Sequence, residues 1–456
     1  MLISIAWRNL SRRLWLSVIT GAVGVLGIVL TIWMVGLNYG GYDQMIAQAV
    51  RTRLGHLQVL PRGYIDEPLP RLVLQEHEEM RTRISALDGV RAVSARALSE
   101  GMIARDSESS AADLVGVVAE DEAAASVVPE AVLRGQEAVE WCRESMSDAL
   151  HVLGGDEALF ERWCQAAGNG EFLPDGEEQA IVIGSGMAEQ LLVSVGDEVT
   201  AQVVRAVDEG GPDGAEAGDL SRRRLVVTGI FRTGNPEIDD RLAFVNMPTL
   251  TAMLGTGGPN EIVVLLEDMG QIEAVRAEAD RIVADHPPAL LYSWDQRNAT
   301  LASMIESDAA NNWYFFAFLC VLVILGVINA TFMSVMWRTR EFGVMLSLGL
   351  DRLKLFALIM LEVALLGGVA VVAGGILGGG LEVFGRIHGW NMEWFGMDAE
   401  NFHVAGVAYD PIYYARVSVA HWTAILLGTF SVFLLAGVLP ALKAAFLHPV
   451  GAMRHK

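Results

Sequence analysis

Four long apolar runs divide a chain whose remaining segments mix short hydrophobic stretches with charge. Leu14–Leu37, Asn311–Trp337 and Val417–Leu442 contain no Asp, Glu, Lys or Arg, and Leu355–Leu381 contains only Glu362. Each run is longer than the roughly 20 residues that cross a hydrocarbon core of about 30 Å. The pattern therefore predicts membrane spans at 14–41, 312–337, 355–383 and 417–442. The first run outlasts the roughly 7–15 apolar residues of a signal peptide, and Asn38–Tyr42 is a poor cleavage context, so this span is expected to be retained.

Between the first two spans the period changes. Short β-type runs occur at Gly55–Pro61, Ala92–Leu98, Met102–Ala104, Ala112–Val118, Ala180–Ile183, Glu198–Val204, Leu225–Phe231, Leu242–Val245 and Ile262–Leu266. Helical spacing appears at Tyr42–Leu54, Met187–Val193 and Gly270–His286. The predicted fold is a membrane protein with four transmembrane α-helices and a large α+β extracytoplasmic domain, residues 42–311, between the first and second helices. An Ala- and Glu-rich stretch at about 120–176 reads as helices inserted into this strand-rich module. Val207–Asp219 reads as an acidic, Gly-rich loop, without the ligand order of a calcium site.

Charge assigns sides to these pieces. Arg8, Arg12 and Arg13 precede the first span, Arg338, Arg340, Arg352 and Lys354 separate the second from the third, and Lys443, Arg454 and Lys456 follow the fourth. Alternating spans put all three groups on one side, which the positive-inside rule makes cytoplasmic, with both termini there. Residues 43–311 carry 21 Lys/Arg against 47 Asp/Glu, so the net −22 of the 456-residue chain is concentrated in the outer domain. Such a surface repels nucleic acid. Residues 1–13 read either as an interfacial amphipathic helix or as a basic flank that fixes topology.

Chemistry-bearing motifs are few. The chain has no G-x-x-x-x-G-K-[ST], no G-x-S-x-G and no H-E-x-x-H, so neither nucleotide binding nor hydrolysis is expected of it. No Cys/His spacing suggests a metal. Cys142 and Cys164 lie in the insert, in a compartment that permits a disulfide; a bridge and two separately buried thiols both fit. Cys320 falls within the second span as a packing residue. Glu362, an acid inside a span, is either functional or paired near the cytoplasmic face. Trp390, Trp394, Phe395, Tyr413 and Tyr414 in the 384–416 loop suit an interfacial aromatic belt.

The densest polar patch is 338–354. Within it Phe342, Met345, Leu346 and Gly349 fall at i, i+3, i+4 and i+7, one face of a short helix. Such a helix either rests among headgroups, docks into a groove on another protein, or simply connects two spans. Here the segment Arg338–Gly349, R-T-R-E-F-G-V-M-L-S-L-G, resembles the FtsX-type permease domain of ABC transporters. The tail Pro440–Arg454 is similar to the P-A-x-x-A-A-x-x-x-P-x-x-A-L-R ending of that group. Trp7–Leu10, Gly55–Val59 and Ile181–Val199 resemble its lipoprotein-releasing (LolC/LolE) and MacB-like branch. The 120–176 insert and the 390–414 loop depart from the pattern.

The resemblance implies a non-catalytic transmembrane subunit in a bacterial inner membrane, with the large domain in the periplasm. It implies a mechanotransmission transporter in which a separate ABC ATPase subunit holds the ATP and magnesium, and this chain binds no cofactor. Arg338, Arg340, Glu341, Phe342, Gly343, Met345, Leu346 and Gly349 would form the ATPase-coupling helix. A second permease chain, identical or different, would complete a dimer. Met34, Leu37, Trp313, Phe316 and Phe318 would line a cleft for a lipoprotein or other amphiphile drawn from membrane lipid. A regulator that transmits ATPase state to a periplasmic cell-wall hydrolase is the alternative.

Overall fold

The computed structural model describes residues 14–147, 150, 155–174, 177–206, 219–396, 403–404, 407–408 and 412–446. The expected helix at 1–13, residues 207–218 of the acidic loop and the tail motif beyond Phe446 lie outside them.

In chain order, helix α1 (Leu14–Ala49) passes through a π turn (Val50–Leu54) into strand β1 (Leu57–Pro61). There follow α2 (His77–Ser85), β2 (Val90–Arg105), β3 (Glu108–Val117), α3 (Ala119–Ala125), α4 (Gly135–Ser145) and α5 (Glu157–Ala167). Next come β4 (Ala180–Gly184), α6 (Ser185–Leu191), β5 (Glu198–Val204), β6 (Leu220–Phe231), α7 (Pro236–Asp239), β7 (Leu242–Asn246) and α8 (Met247–Leu254). The domain closes with β8 (Glu261–Leu266), α9 (Ile272–Ala284), β9 (Ala289–Ser293) and α10 (Trp294–Arg297). Then come α11 (Ala299–Trp337), α12 (Thr339–Ser347), α13 (Arg352–His388) and α14 (Val419–Ala445), with two-residue strand pairs between the last two.

Among the described residues four helices are long and apolar enough to cross a membrane: α1 with its π turn, α11, α13 and α14. All four helices run past the spans drawn from hydropathy, α1 and α11 furthest. The 36 residues of α1 and 39 of α11 extend about 54 and 58 Å at 1.5 Å per residue, well beyond a bilayer core. Hydropathy marks where a helix leaves lipid; the backbone ladder stops only at a breaker, and Asp43–Ala49 and Ala299–Ala310 contain no proline. Tyr42–Leu54 is thus the end of α1 and its π turn, not a separate helix. Gly40 and Gly41 are helical. A Cβ at Gly40 would strike the Tyr414 carbonyl, and one at Gly41 would crowd the Tyr413 ring, so these glycines admit a crossing chain. α13 likewise runs to His388, five residues past the expected end.

The membrane unit packs around Phe433 of α14, which is fully buried with Val323 and Val327 of α11 and Val363 and Ala370 of α13. Gly24 of α1 and Gly367 of α13 face its ring. A second cluster joins Ile28, Ile32 and Val35 of α1 to Ile425 of α14. Small residues let helix backbones approach where lipid supplies no hydrophobic drive for association.

The outer domain is built on one nine-stranded sheet in the order β3-β7-β4-β6-β5-β2-β8-β1-β9, closed by an additional β3–β2 pairing. The closure makes a six-stranded ring from β2 to β7. β2 is the shared member: Arg96–Arg105 pair with β3, while its other edge pairs with β8 at Val90–Arg96 and with β5 at Gly101–Ala104. The two runs expected at Ala92–Leu98 and Met102–Ala104 are therefore one strand. The remaining order β9-β1-β8-β2, with α2 joining β1 to β2 and α9 joining β8 to β9, is a split β-α-β pair. The ring is an insertion between β2 and β8. Leu57, Val59, Met80, Ile84, Val93, Ile262, Val264, Val275 and Ile282 form the core of the split pair. The ring has its own core, centred on Ile103, Leu114, Ile181, Ile183, Val227 and Val245.

The 120–176 insert supplies α3, α4 and α5 against this scaffold. Cys142 of α4 and Cys164 of α5 are bonded at an S–S distance of 2.08 Å, and both belong to the ring's core cluster with Trp141 and Ala167. Trp141 Nε1 donates to Glu189 at 3.2 Å and Trp163 Nε1 to Asp197 at 2.9 Å. β9 went unpredicted: Ala289–Ser293 follows two prolines, which mask its short alternating pattern.

Candidate coupling surface and the joint beneath it

The turn between α11 and α13 is compact because its ends are specified locally. α11 stops at Trp337, and Arg338 leaves helical geometry with φ −104 and ψ 8. α12 lasts nine residues and closes on Leu348, after which Gly349 has φ +92. A left-handed residue just past a helix end is the usual glycine stop.

Arg338 lies at the centre of this turn. It is 6% exposed, and one of its terminal nitrogens donates to both carboxylate oxygens of Glu362 on α13 at 2.9 Å. Its Nε donates to Glu341 of α12 at 3.2 Å, and its guanidinium lies 4.7 Å from the centre of the Phe342 ring. One arginine thus ties the end of α11 to the start of α12 and to the flank of α13. The sequence leaves Glu362 either functional or paired near the cytoplasmic face. The structure gives it Arg338, which comes from a different helix.

The apolar stripe of α12 faces inward. Phe342 is 1% exposed and packs with Val335, Leu355, Ile359, Ala441 and Ala444, with Met345 and Leu346 half-buried against the same cluster. Gly343 is also buried. The exposed face is Arg340, Glu341, Val344, Ser347, Leu348 and Gly349. Leu348 is 83% exposed and Leu353 70%, with the cations Arg340, Arg352 and Lys354 around them. Periodicity located the helix and its stripe, but it could not say that the stripe is used internally. The signal for the outward face is an unpartnered leucine between basic residues.

Only part of the expected cleft set comes together. Trp313 and Phe316 line a small recess with Thr31, Val35, Tyr39, Asn312, His421 and Ile425. Its volume is about 10 Å³, on the scale of one water molecule. The His421 ring lies 4.4 Å from the Tyr39 ring and 6.1 Å from that of Trp313. Above it, Asn38 bonds Asn312, and the Tyr42 hydroxyl donates to Asp308 at 3.0 Å. Met34, Leu37 and Phe318 lie outside the recess, and Phe318 is 58% exposed.

Four spans, a large α/β domain between the first two and a short buried-and-basic turn between the second and third define a multi-pass membrane protein of the permease class. Residues 17–282 match the model of the MacB-like periplasmic core domain, and residues 313–449 that of the FtsX-like permease C-terminal domain. The first match alone covers more than half of the chain, and the chain belongs to the FtsX-type, MacB-like ABC permeases. It is 26% identical over 200 residues to the lipoprotein-releasing system transmembrane protein LolC of Xylella fastidiosa, covering 44% of this chain and 46% of that one. It is 23% identical over 335 residues to the pyoverdine export ATP-binding/permease protein PvdT of Pseudomonas fluorescens, covering 67% of this chain and 43% of the other. The chain thus spans about half the length of the curated relatives it matches. The periplasmic region of MacB from Actinobacillus actinomycetemcomitans overlays 57% of this chain and 94% of its own at 11% identity. Its TM-score of 0.32 is too low to carry any argument.

Proposed function

We propose that this chain is the transmembrane subunit of a mechanotransmission ABC transporter in an inner membrane, working with a separate ATPase subunit. The observation that carries the reading is the division of labour in α12. Its outward face, Arg340, Val344, Ser347 and Leu348, offers a partner an apolar knob between cations, while its inward face is fixed to α13 by Phe342 and by Arg338. A push on Leu348 is then passed to α13 through an ion pair and a packed ring, not through a loose loop. Nucleotide and magnesium belong to the partner. α1 and α11 continue unbroken beyond the expected bilayer thickness, which suits motion delivered to the periplasmic domain.

The LolC likeness supports a lipoprotein or another amphiphile, released from the outer leaflet, as cargo. The aromatic recess where Trp313 and Phe316 of α11 meet α1 and α14 supports a cargo path along the outward ends of these helices, with a second permease chain supplying the other wall. The test is reconstitution with an ABC ATPase subunit that co-purifies with this chain, comparing two variants. Leu348→Glu is expected to lose the partner. Arg338→Met is expected to keep the partner but to lose cargo-dependent stimulation of ATP hydrolysis. Full stimulation with Arg338→Met would overturn the proposed joint.

A further inference from the structure

Away from α12, one set of side chains among the described residues gathers three metal-type donors. Glu76, Glu79 and His286 each bring one donor atom within 4.8 Å of the other two. The two glutamates need no ligand to account for them, since both stand at the amino end of α2, where carboxylates complement the helix dipole. His286 is the buried member of the set. It sits in the turn between α9 and β9 at 8% exposure, its N–H donating to the Val283 carbonyl and its own carbonyl accepting from Ala289 N, each at 3.0 Å.

The imidazole is held on one side only. Nδ1 is 2.8 Å from Glu76 Oε2, so in the neutral ring Nδ1–H donates to that carboxylate and Nε2 carries the lone pair. Nε2 is buried with no hydrogen-bond partner. It faces Glu79 Oε1 across 3.9 Å, too far for a hydrogen bond. An imidazole anchored to a carboxylate through one nitrogen and presenting the other, unpartnered, to a second carboxylate is the arrangement found around metal-bound histidines. Bonds of about 2.0–2.2 Å from one ion to nitrogen and to oxygen bridge a gap of that order. Glu79 is exposed and can adjust, although Arg83 at 3.8 Å competes for it.

We propose that Glu76, Glu79 and His286 form a site for one divalent transition-metal ion of the zinc class, bridging α2 and the α9–β9 turn. His286 Nε2 and the Glu79 carboxylate are the protein ligands, Glu76 orients the ring, and water completes the coordination. Mixed nitrogen and carboxylate donors favour a borderline ion over calcium, which takes oxygen.

The experiment uses the full chain in detergent, stripped with chelator and dialysed against zinc chloride, with bound metal measured directly and thermal unfolding followed in parallel. The wild type is expected to bind one zinc per chain and to unfold at a higher temperature with zinc present, as any ligand specific to the folded state requires. His286→Gln and Glu79→Gln are expected to lose both effects, and Glu76→Gln to weaken binding by about 10–100-fold, as outer carboxylates do. Glu79 is exposed, so its variant tests the site without threatening the fold. No zinc bound by the wild type, or equal binding by His286→Gln and Glu79→Gln, would overturn the proposal and leave the cluster a plain ion pair.

Discussion

Two buried arginines in this molecule use the same chemistry to opposite ends. In the outer domain Arg96 donates to both oxygens of Glu122, at 2.9 and 2.6 Å, and lies 3.8 Å from Glu261. It also bonds the Arg53 carbonyl, while Ser94 donates to Glu122 at 2.8 Å. All three charged groups are 3% exposed or less. Burial pushes the Glu261 carboxyl up, and Arg96 beside it acts in the other direction. Arg338 makes a similar two-oxygen contact with Glu362, but where it sits differs. Arg96 and Glu261 belong to strands β2 and β8, whose hydrogen-bonded ladder already fixes their spacing. Arg338 sits where the helical ladder is interrupted, between α11 and α12, so the ion pair itself supplies part of the connection. The first arginine fills a scaffold; the second joins parts that the backbone leaves separate.

That difference predicts an order of effects. Arg96→Met strands two carboxylates in a dry interior and is expected to cost about 3–5 kcal/mol, the usual result of removing one partner of a buried pair, read from urea unfolding of the outer domain's signal. A loss under about 1 kcal/mol would mean that solvent reaches the cluster. Replacing both Cys142 and Cys164 by serine opens a loop whose ends are 22 residues apart and is expected to cost about 3 kcal/mol. Reducing agent should reproduce this in the wild type and do nothing to the variant. Arg338→Met is expected to cost less than Arg96→Met, about 2 kcal/mol, because Glu362 retains 14% side-chain exposure and water offsets part of the loss. Its larger consequence is expected in coupling.

His56 gives a smaller and pH-dependent effect. Its Nδ1 accepts the Leu266 N–H at 3.0 Å, which requires that nitrogen to be unprotonated. Burial pushes its pKa below the ordinary value, with Asp268 opposing. The unfolded chain therefore takes up the proton first as pH falls. His56 contributes its full stability above about pH 6.5 and loses it progressively below that, toward its lowered folded value. His56→Gln is expected to flatten the stability profile across that window; an unchanged slope would remove the assignment. Least of all, Leu348→Ala is expected to leave stability within about 0.5 kcal/mol, as surface substitutions do.

The membrane helices and most strands were legible because apolar runs and period-two alternation follow directly from what each element buries. The helix ends were not, since Asp43–Ala49 and Ala299–Ala310 are polar yet hydrogen-bonded like the spans they extend. The short helix at 339–347 was legible from the spacing of Phe342, Met345 and Leu346. Its orientation was not, because an apolar stripe looks the same whether it meets a neighbour in the same chain or a foreign groove. Long-range pairs stayed hidden for the same reason. Nothing near Arg338 points to Glu362, and nothing near His286 points to Glu76, some 200 residues earlier in the chain.

In the proposed mechanism the exposed side of α12 engages a separate ATPase while its buried side holds α13. Affinity capture of the partner ATPase by tagged permease, comparing wild type with Leu348→Glu and Met345→Leu, tests it most directly. The account predicts near-complete loss of ATPase with Leu348→Glu and normal recovery with the size-conserving Met345→Leu. Equal recovery by all three proteins, with each shown to be folded, would contradict it.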